Sequence, residues 1–272
     1  MKETPRHLVS INGVPRSGTS WLGQLFNSSP QVAFRFQPLF SYAFKDRLNP
    51  DSSKQDIASF FREIYNTDDE FVLQTRNISG KKEIEFGKNE FPTHLVMKEV
   101  RYHHVLENLL TKLPELKVIG IVRNPCACIN SWLKAPKEFK PEWNELEEWR
   151  FAPSKNQNQP EEFNGFEKWK EVAGMFLNFS EKFPQNFRLV QYEKLNDEPV
   201  EVVRALFEFC GIDFGKQTID FIDKSRTTES KDAYSVFRNA QANDNWVKEL
   251  NPVIANEIIS ELKETQFQQF LV

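Results

Sequence analysis

Gly13, Val14, Pro15, Arg16, Ser17, Gly18, Thr19 and Ser20 bring two glycines, one guanidinium and three hydroxyls together in a short stretch that follows a strand-like run and opens a helix-like one. A turn of this kind points successive backbone N–H groups and a helix N-terminus at one place, which is how a chain grips a phosphate or sulfate group. The spacing matches the phosphate-binding motif GxxxxGK[ST] in both glycines and in Ser20, but Thr19 stands at the lysine position and Arg16 is the cation inside the loop. A lysine to reach a terminal phosphate is missing. Taken alone, the same letters also describe a plain strand-to-helix turn capped by Thr19 or Ser20.

A second anion signal lies at Val122, Arg123, Asn124, Pro125, where a strand-like run ends on arginine, Asn124 is suited to cap and Pro125 to open a helix. Ser131 follows on that helix. By themselves Arg123 also reads as a surface ion pair and Ser131 as a packing residue. Two such strand ends in one sheet point to a ligand, because open α/β sheets bind at the carboxyl edge of their strands. Lys98 and Glu99, in VMKEVR, and Tyr192, in QYEKL, end two further runs.

These residues need a scaffold that delivers strand ends to one edge. HLVSING, THLVMKEV, LKVIGIVR and FRLVQYEKL are short runs rich in Val, Ile and Leu, each followed by a helical pattern. That alternation predicts an α/β fold with a central parallel sheet flanked by helices in three layers. The expected helices are Gly18 to Asn27, Lys54 to Tyr65, Tyr102 to Leu113, Pro125 to Leu133, Gly165 to Phe183, Pro199 to Cys210 and Pro252 to Glu264. Asn66 to Pro92 and the proline-rich Ala135 to Pro160 are expected to be irregular, and insertions of this kind often serve as lids or acceptor walls. Nothing marks a linker, so residues 1–272 are read as one domain.

Composition narrows the function. With 272 residues, 39% of them hydrophobic, the chain is long enough for a sizeable core. Its formal charge of −4 gives no basic field for nucleic acid or an acidic membrane, so any anion must be held locally. No apolar run approaches a membrane span, and Leu8 to Val14 lacks a cleavage pattern. Cys126, Cys128 and Cys210 form an odd, sparse set that points to a reducing compartment. The Cys126–Cys128 spacing has no second pair or histidine cluster with which to hold a metal, so no metal site is expected. The 25 phenylalanines and 6 tryptophans supply core and a cleft wall.

With VPRSGTSWL at 14 to 22 and IVRNPCACINSW at 121 to 132, the chain resembles the sulfotransferases that use 3′-phosphoadenosine 5′-phosphosulfate (PAPS), over nearly its whole length. The resemblance implies a P-loop-like fold in which Arg16, Ser17, Gly18, Thr19, Ser20 and Trp21 bind the 5′-phosphosulfate. Arg123 and Ser131 would then bind the 3′-phosphate, with 3′-phosphoadenosine 5′-phosphate (PAP) as product and no metal. It further implies that Lys98 stabilises charge developing at the transferred group, that Tyr192 passes near the nucleotide, and that Arg238, with Trp246, closes over the 3′-phosphate. Carbohydrate-type members carry a glutamate before proline where this chain has Gln37 and Pro38. An amide cannot take up the acceptor's proton, which leaves Glu99 as first candidate base and His103 or His104 next. Phe34, Phe36, Phe40, Tyr42 and Phe44, with Arg35, Lys45 and Arg47 nearby, are expected to form the acceptor wall, for a small molecule or a carbohydrate. The early start of the loop and the absence of an anchor segment give the expectation of a cytoplasmic enzyme. Two other readings stand beside this one: a P-loop small-molecule kinase, against which Thr19 argues, and a non-catalytic nucleotide-binding relative, which Gln37 allows.

Overall fold

The computed structural model describes residues 4–75, 85–228, 235–237 and 244–271. Five strands, β1 (His7–Asn12), β2 (Val32–Phe36), β3 (His94–Glu99), β4 (Lys117–Val122) and β5 (Phe187–Gln191), form one sheet in the order β2-β3-β1-β4-β5. Every pairing is parallel, with Ile11 opposite Lys98, Phe36 opposite Lys98 and Val122 opposite Gln191. All five strands therefore end along one edge. Four of them are the strands expected from apolar runs. The fifth, β2, is the first half of the aromatic stripe.

The helices are α1 (Thr19–Asn27), α2 (Lys54–Tyr65), α3 (Leu106–Lys112), α4 (Pro125–Leu133), α5 (Glu145–Glu148), α6 (Pro153–Asn156), α7 (Phe166–Lys182), α8 (Tyr192–Asp197), α9 (Pro199–Cys210), α10 (Lys216–Thr227), α11 (Trp246–Glu249) and α12 (Pro252–Leu262). Local chemistry sets their ends. Ser53 and Asp56 form a reciprocal capping box on α2, Asn124 caps α4 ahead of Pro125, and Gly211 ends α9 in a left-handed conformation. The helix expected from Tyr102 starts later. Tyr102 itself is left-handed, a 3-10 turn covers His103–Val105, and the α-helix begins at Leu106. Helix α10 has too polar a sequence to stand out as a periodic pattern, yet it buries Phe221 and Ile222.

Side chains alternate across the sheet with the two-residue strand period. Leu95, Met97 and Val118 pack in one cluster with α2, α3, α7 and α12, whereas Val9, Ile11, Val96, Ile119 and Ile121 pack in another with α1, α9 and α10. The sheet is thus covered on both faces, and its strands read as continuous apolar runs for that reason. By the same alternation Lys98 lies on the α1 face and Glu99 on the opposite one.

Two buried histidines tie this packing to pH. Desolvation takes His94 down to about 4, helped by the His7 ring stacked on it at 4.4 Å, and takes His103 to about 3. Unfolded chain protonates both near 6.5 while folded chain does not, so acidification below that value favours unfolding. We expect urea titrations to give an unfolding free energy lower at pH 5 than at pH 7 by on the order of 2 kcal/mol. His94→Asn should reduce that difference.

Candidate active site

The turn after β1 follows a backbone path that depends on missing side-chain atoms. A Cβ at Gly13 would stand 2.6 Å from the Ile121 carbonyl oxygen, and one at Gly18 would stand 2.3 Å from the Tyr192 ring. Gly18 also sits at φ 88°, in the left-handed region that glycine enters without strain. Arg16, without that freedom, is held at φ 74°. Such a conformation costs of order 1–3 kcal/mol and persists only where its surroundings enforce it. Here they do: Arg16 Nε donates to Ser131 Oγ at 3.0 Å, Arg123 Nη1 donates to the Arg16 carbonyl at 3.1 Å, and Glu138 faces the Arg16 guanidinium at 3.8 Å.

The two motifs separated in sequence by more than a hundred residues therefore meet. Arg123 lies over the Tyr192 ring at 4.6 Å, and its carbonyl accepts from Trp169 Nε1 at 2.9 Å, which fixes the end of β4. Asn124 Oδ1 accepts from the Cys126 N–H at 2.9 Å, and Glu193 Oε1 accepts from the Asn124 N–H at 3.0 Å. Ser17 Oγ lies 3.7 Å from Cys128 Sγ beneath the loop, both buried. Thr19 and Ser20 form the first turn of α1. Trp21 sets its ring edge-on to Tyr192 and donates through Nε1 to Ser225 Oγ of α10 at 3.0 Å. The structure thus gathers Arg16, Ser17, Gly18, Thr19, Ser20, Trp21, Arg123, Ser131 and Tyr192 at one edge. Arg238 lies outside the described residues; Trp246, half-buried, opens α11.

Lys98, the last residue but one of β3, lies beside this group. It is 2% exposed, its Nζ sits 4.7 Å from the centre of the Phe36 ring, and burial lowers it to about 7 against the pull of Glu99 and Glu138. Arg101 and Arg16 push in the same direction as burial. A cation so close to losing its charge is one that an incoming anion would stabilise. Glu99 faces the other way. Its Oε1 accepts from the Leu39 N–H at 2.9 Å, and burial raises the carboxyl to about 8 in spite of that bond and of Lys98. At neutral pH it keeps its proton. His103 is enclosed by Phe163 and Phe176, and His104 packs between Tyr102 and Phe163, so burial lowers both.

The expected aromatic wall divides. Phe34 is buried on the α1 face against Gly23, Phe44 packs on Phe60 in the opposite core, and Tyr42 is fully exposed. Arg35 is buried and donates to the Phe34 carbonyl, and Arg47 pairs with Glu63 at 2.7 Å, so neither is spare for a ligand. The end of β2 is the reason: Phe34 and Phe36 share the α1 face with Arg35 turned away from them, but the strand stops at Phe36, so Phe40, Tyr42 and Phe44 do not continue its two-residue period. Phe36 and Phe40 remain together, joined by Phe71 and Arg101, residues that no periodic pattern marked.

Cys126, Cys128 and Cys210 are free and buried, with burial raising all three thiols. Among the described residues no group of three or more His, Cys, Asp or Glu is placed to hold a metal ion. None of the described helices is long and apolar enough to cross a membrane.

Comparison with known proteins supplies the chemistry. Residues 9–216 match a family model described as the sulfotransferase family. The chain is 22% identical to carbohydrate sulfotransferase 1 of Danio rerio, over 88% of this chain and 71% of the relative. Its fold is similar to that of a mouse sulfotransferase solved in complex with PAP, with a TM-score of 0.60 at 15% identity over 99% and 89% of the two chains. It is likewise similar to a retinol dehydratase solved with retinol and PAP, with a TM-score of 0.54 at 12% identity over 97% and 84%.

Because Gly18 is both left-handed and in contact with Tyr192, Gly18→Ala should lower the unfolding free energy by about 1–3 kcal/mol. The same change should displace the Tyr192 ring from Trp21, altering the near-ultraviolet circular dichroism of the folded protein. An unaltered spectrum would mean that the ring does not rest on this turn.

Proposed function

The chain belongs to the sulfotransferase family, and from that premise we propose that it moves a sulfuryl group from PAPS to a hydroxyl or amine of a small-molecule or carbohydrate acceptor, releasing PAP. The observation that carries the donor assignment is the Arg16–Ser131 hydrogen bond, which joins the first loop to the second strand-helix unit. Residues that would hold two separate anionic groups of one nucleotide are thereby neighbours before any ligand arrives.

When bound, PAPS supplies the group that is transferred. The chain's own part begins with the N–H groups of Ser17 to Ser20 and the N-terminus of α1, which suit the 5′-side anion. Arg123 and Ser131 suit the 3′-phosphate, and Arg16, bonded to Ser131 from the first loop, keeps its assignment to the 5′-phosphosulfate. Tyr192 bounds the nucleotide, with Trp21 of the 5′-phosphosulfate loop edge-on to it. Arg238, outside the described residues, keeps its assignment to the same phosphate on the resemblance alone. The cradle fits: Gly18, left-handed at φ 88°, turns the chain into α1, and the donors present are guanidinium, hydroxyl and amide groups that need no divalent ion.

Lys98 is assigned to stabilising negative charge that develops between donor and acceptor, its buried position making that charge-charge interaction strong. Glu99, protonated and bonded to the Leu39 N–H, is assigned to holding the turn that carries Gln37. Gln37 is left-handed at φ 43°, and its N–H donates to the Lys98 carbonyl at 2.8 Å, so this turn is fastened to the end of β3 at two points. His104, half-buried against Phe163, is the weaker candidate for a proton acceptor. The three buried free thiols fit a cytoplasmic location, and residues 1–272 are read as one sulfotransferase domain.

Three measurements test this reading. Calorimetry should find PAP binding in excess chelator; Arg16→Ala should weaken it at least tenfold, and Arg123→Ala should remove the preference for PAP over adenosine 5′-phosphate. At pH 8, PAP binding should take up a fraction of a proton, read from the difference in binding enthalpy between phosphate and Tris buffers, and Lys98→Ala should abolish that uptake while lowering kcat by about a hundredfold or more. Glu99→Gln, which keeps an oxygen for the Leu39 N–H, should retain kcat within a few-fold. A far larger loss would make Glu99 the base.

A further inference from the structure

The rings beside Lys98 describe what approaches it. Phe36 lies under the Lys98 ammonium, Phe71 meets Phe36 at 5.5 Å between ring centres, and Phe40 meets Phe71 at 5.9 Å. Phe36 and Phe71 are half-buried and Phe40 is 46% exposed, so the three form one apolar wall open to solvent at the carboxyl edge of β2 and β3. A contiguous aromatic surface next to a buried cation is the usual make-up of a small-molecule subsite.

The polar groups on the wall are engaged with one another. Arg101 stacks its guanidinium 4.2 Å above the Phe40 ring, pairs with Glu162 at 2.8 Å, and donates to the Gln37 side-chain oxygen at 3.4 Å. Glu162 in turn accepts from the Asn164 side chain at 3.1 Å. The Arg101–Glu162 pair is neutral and gives no field for an acidic acceptor. A saccharide laid on these rings would set several hydroxyls against apolar surface, with the Arg101, Glu162 and Gln37 cluster at one edge to answer them, which is costly. A flat apolar skeleton with one hydroxyl avoids that cost.

Resting on the donor-site reading above, we propose that Phe36, Phe40 and Phe71 form the acceptor subsite for a neutral phenol or comparable hydroxyl compound on a flat apolar skeleton, in preference to a saccharide. The skeleton lies on the Phe36–Phe71–Phe40 wall with its hydroxyl directed toward Lys98. In the transfer, the hydroxyl oxygen forms the new bond to sulfur, the bond from sulfur to the 5′-phosphate oxygen of PAPS breaks, PAP leaves with that electron pair, and the hydroxyl proton passes to solvent or a nearby base.

The test uses the full chain, with 2-naphthol and a neutral trisaccharide as probes. Calorimetry on protein saturated with PAP should detect 2-naphthol binding. Phe40→Ala should weaken it about tenfold, Phe40→Tyr should restore it, and the affinity for PAP should change by less than twofold in both variants. With PAPS, kcat/KM for 2-naphthol should exceed that for the trisaccharide at least tenfold, and Phe40→Ala should raise KM more than it lowers kcat. A trisaccharide that is the better acceptor, naphthol that does not bind the PAP complex, or binding indifferent to Phe40→Ala overturns the acceptor assignment and leaves the donor site standing. Failure of the parent protein to bind PAP overturns both.

Discussion

The site depends on a backbone turn whose amide groups converge only because two glycines permit close contact and a strained arginine is held in place. Gly13 lets the chain pass against the Ile121 carbonyl, and Gly18 lets it turn under Tyr192 into α1. Arg16, between them, has its side chain bonded to Ser131 and its carbonyl bonded by Arg123. The guanidinium groups therefore act on the fold as well as on any ligand. They stabilise the left-handed Arg16 that gives the loop its shape, and the same contacts join the loop to α4. Pre-organisation of this kind removes part of the ordering cost of binding.

The second feature is the opposition of neighbours along β3. Lys98 and Glu99 are adjacent in sequence, but strand geometry sends one to the α1 face and the other toward Leu39. Burial acts on both in the direction of neutrality, lowering the lysine and raising the carboxyl. An anion beside Lys98 shifts that balance for the lysine toward its charged form. Charge for the reaction is thus localised at one face, and the glutamate keeps a neutral hydrogen bond on the turn that carries Gln37 and Phe40.

Much of this was legible in the sequence. A parallel sheet writes itself as short runs of Val, Ile and Leu because both faces are buried, and β1, β3, β4 and β5 carry that mark. The helix limits at Ser53, Pro125 and Pro199 were equally clear, since capping residues and prolines act locally. Strand β2 was harder, because its Phe34, Arg35 and Phe36 read as an aromatic stripe with cations, and only the partner strand shows that Phe34 and Arg35 are buried on opposite faces. Helix α10 was hidden by its polar surface. Arg101 and Phe71 follow irregular turns, where no period exists to reveal a shared surface, and only tertiary packing brings them to Phe40. The opposed directions of Lys98 and Glu99, by contrast, follow from the two-residue period once β3 is recognised.

The most direct measurement is a crystal structure of the protein with PAP grown in excess chelator. The account predicts the 5′-phosphate seated on the N–H groups of residues 17 to 20 at the start of α1, the 3′-phosphate between Arg123 and Ser131, and Lys98 beside the 5′-side with no metal in contact. Nucleotide lodged away from the Gly13–Gly18 turn, or seated there only through a divalent ion, would contradict it.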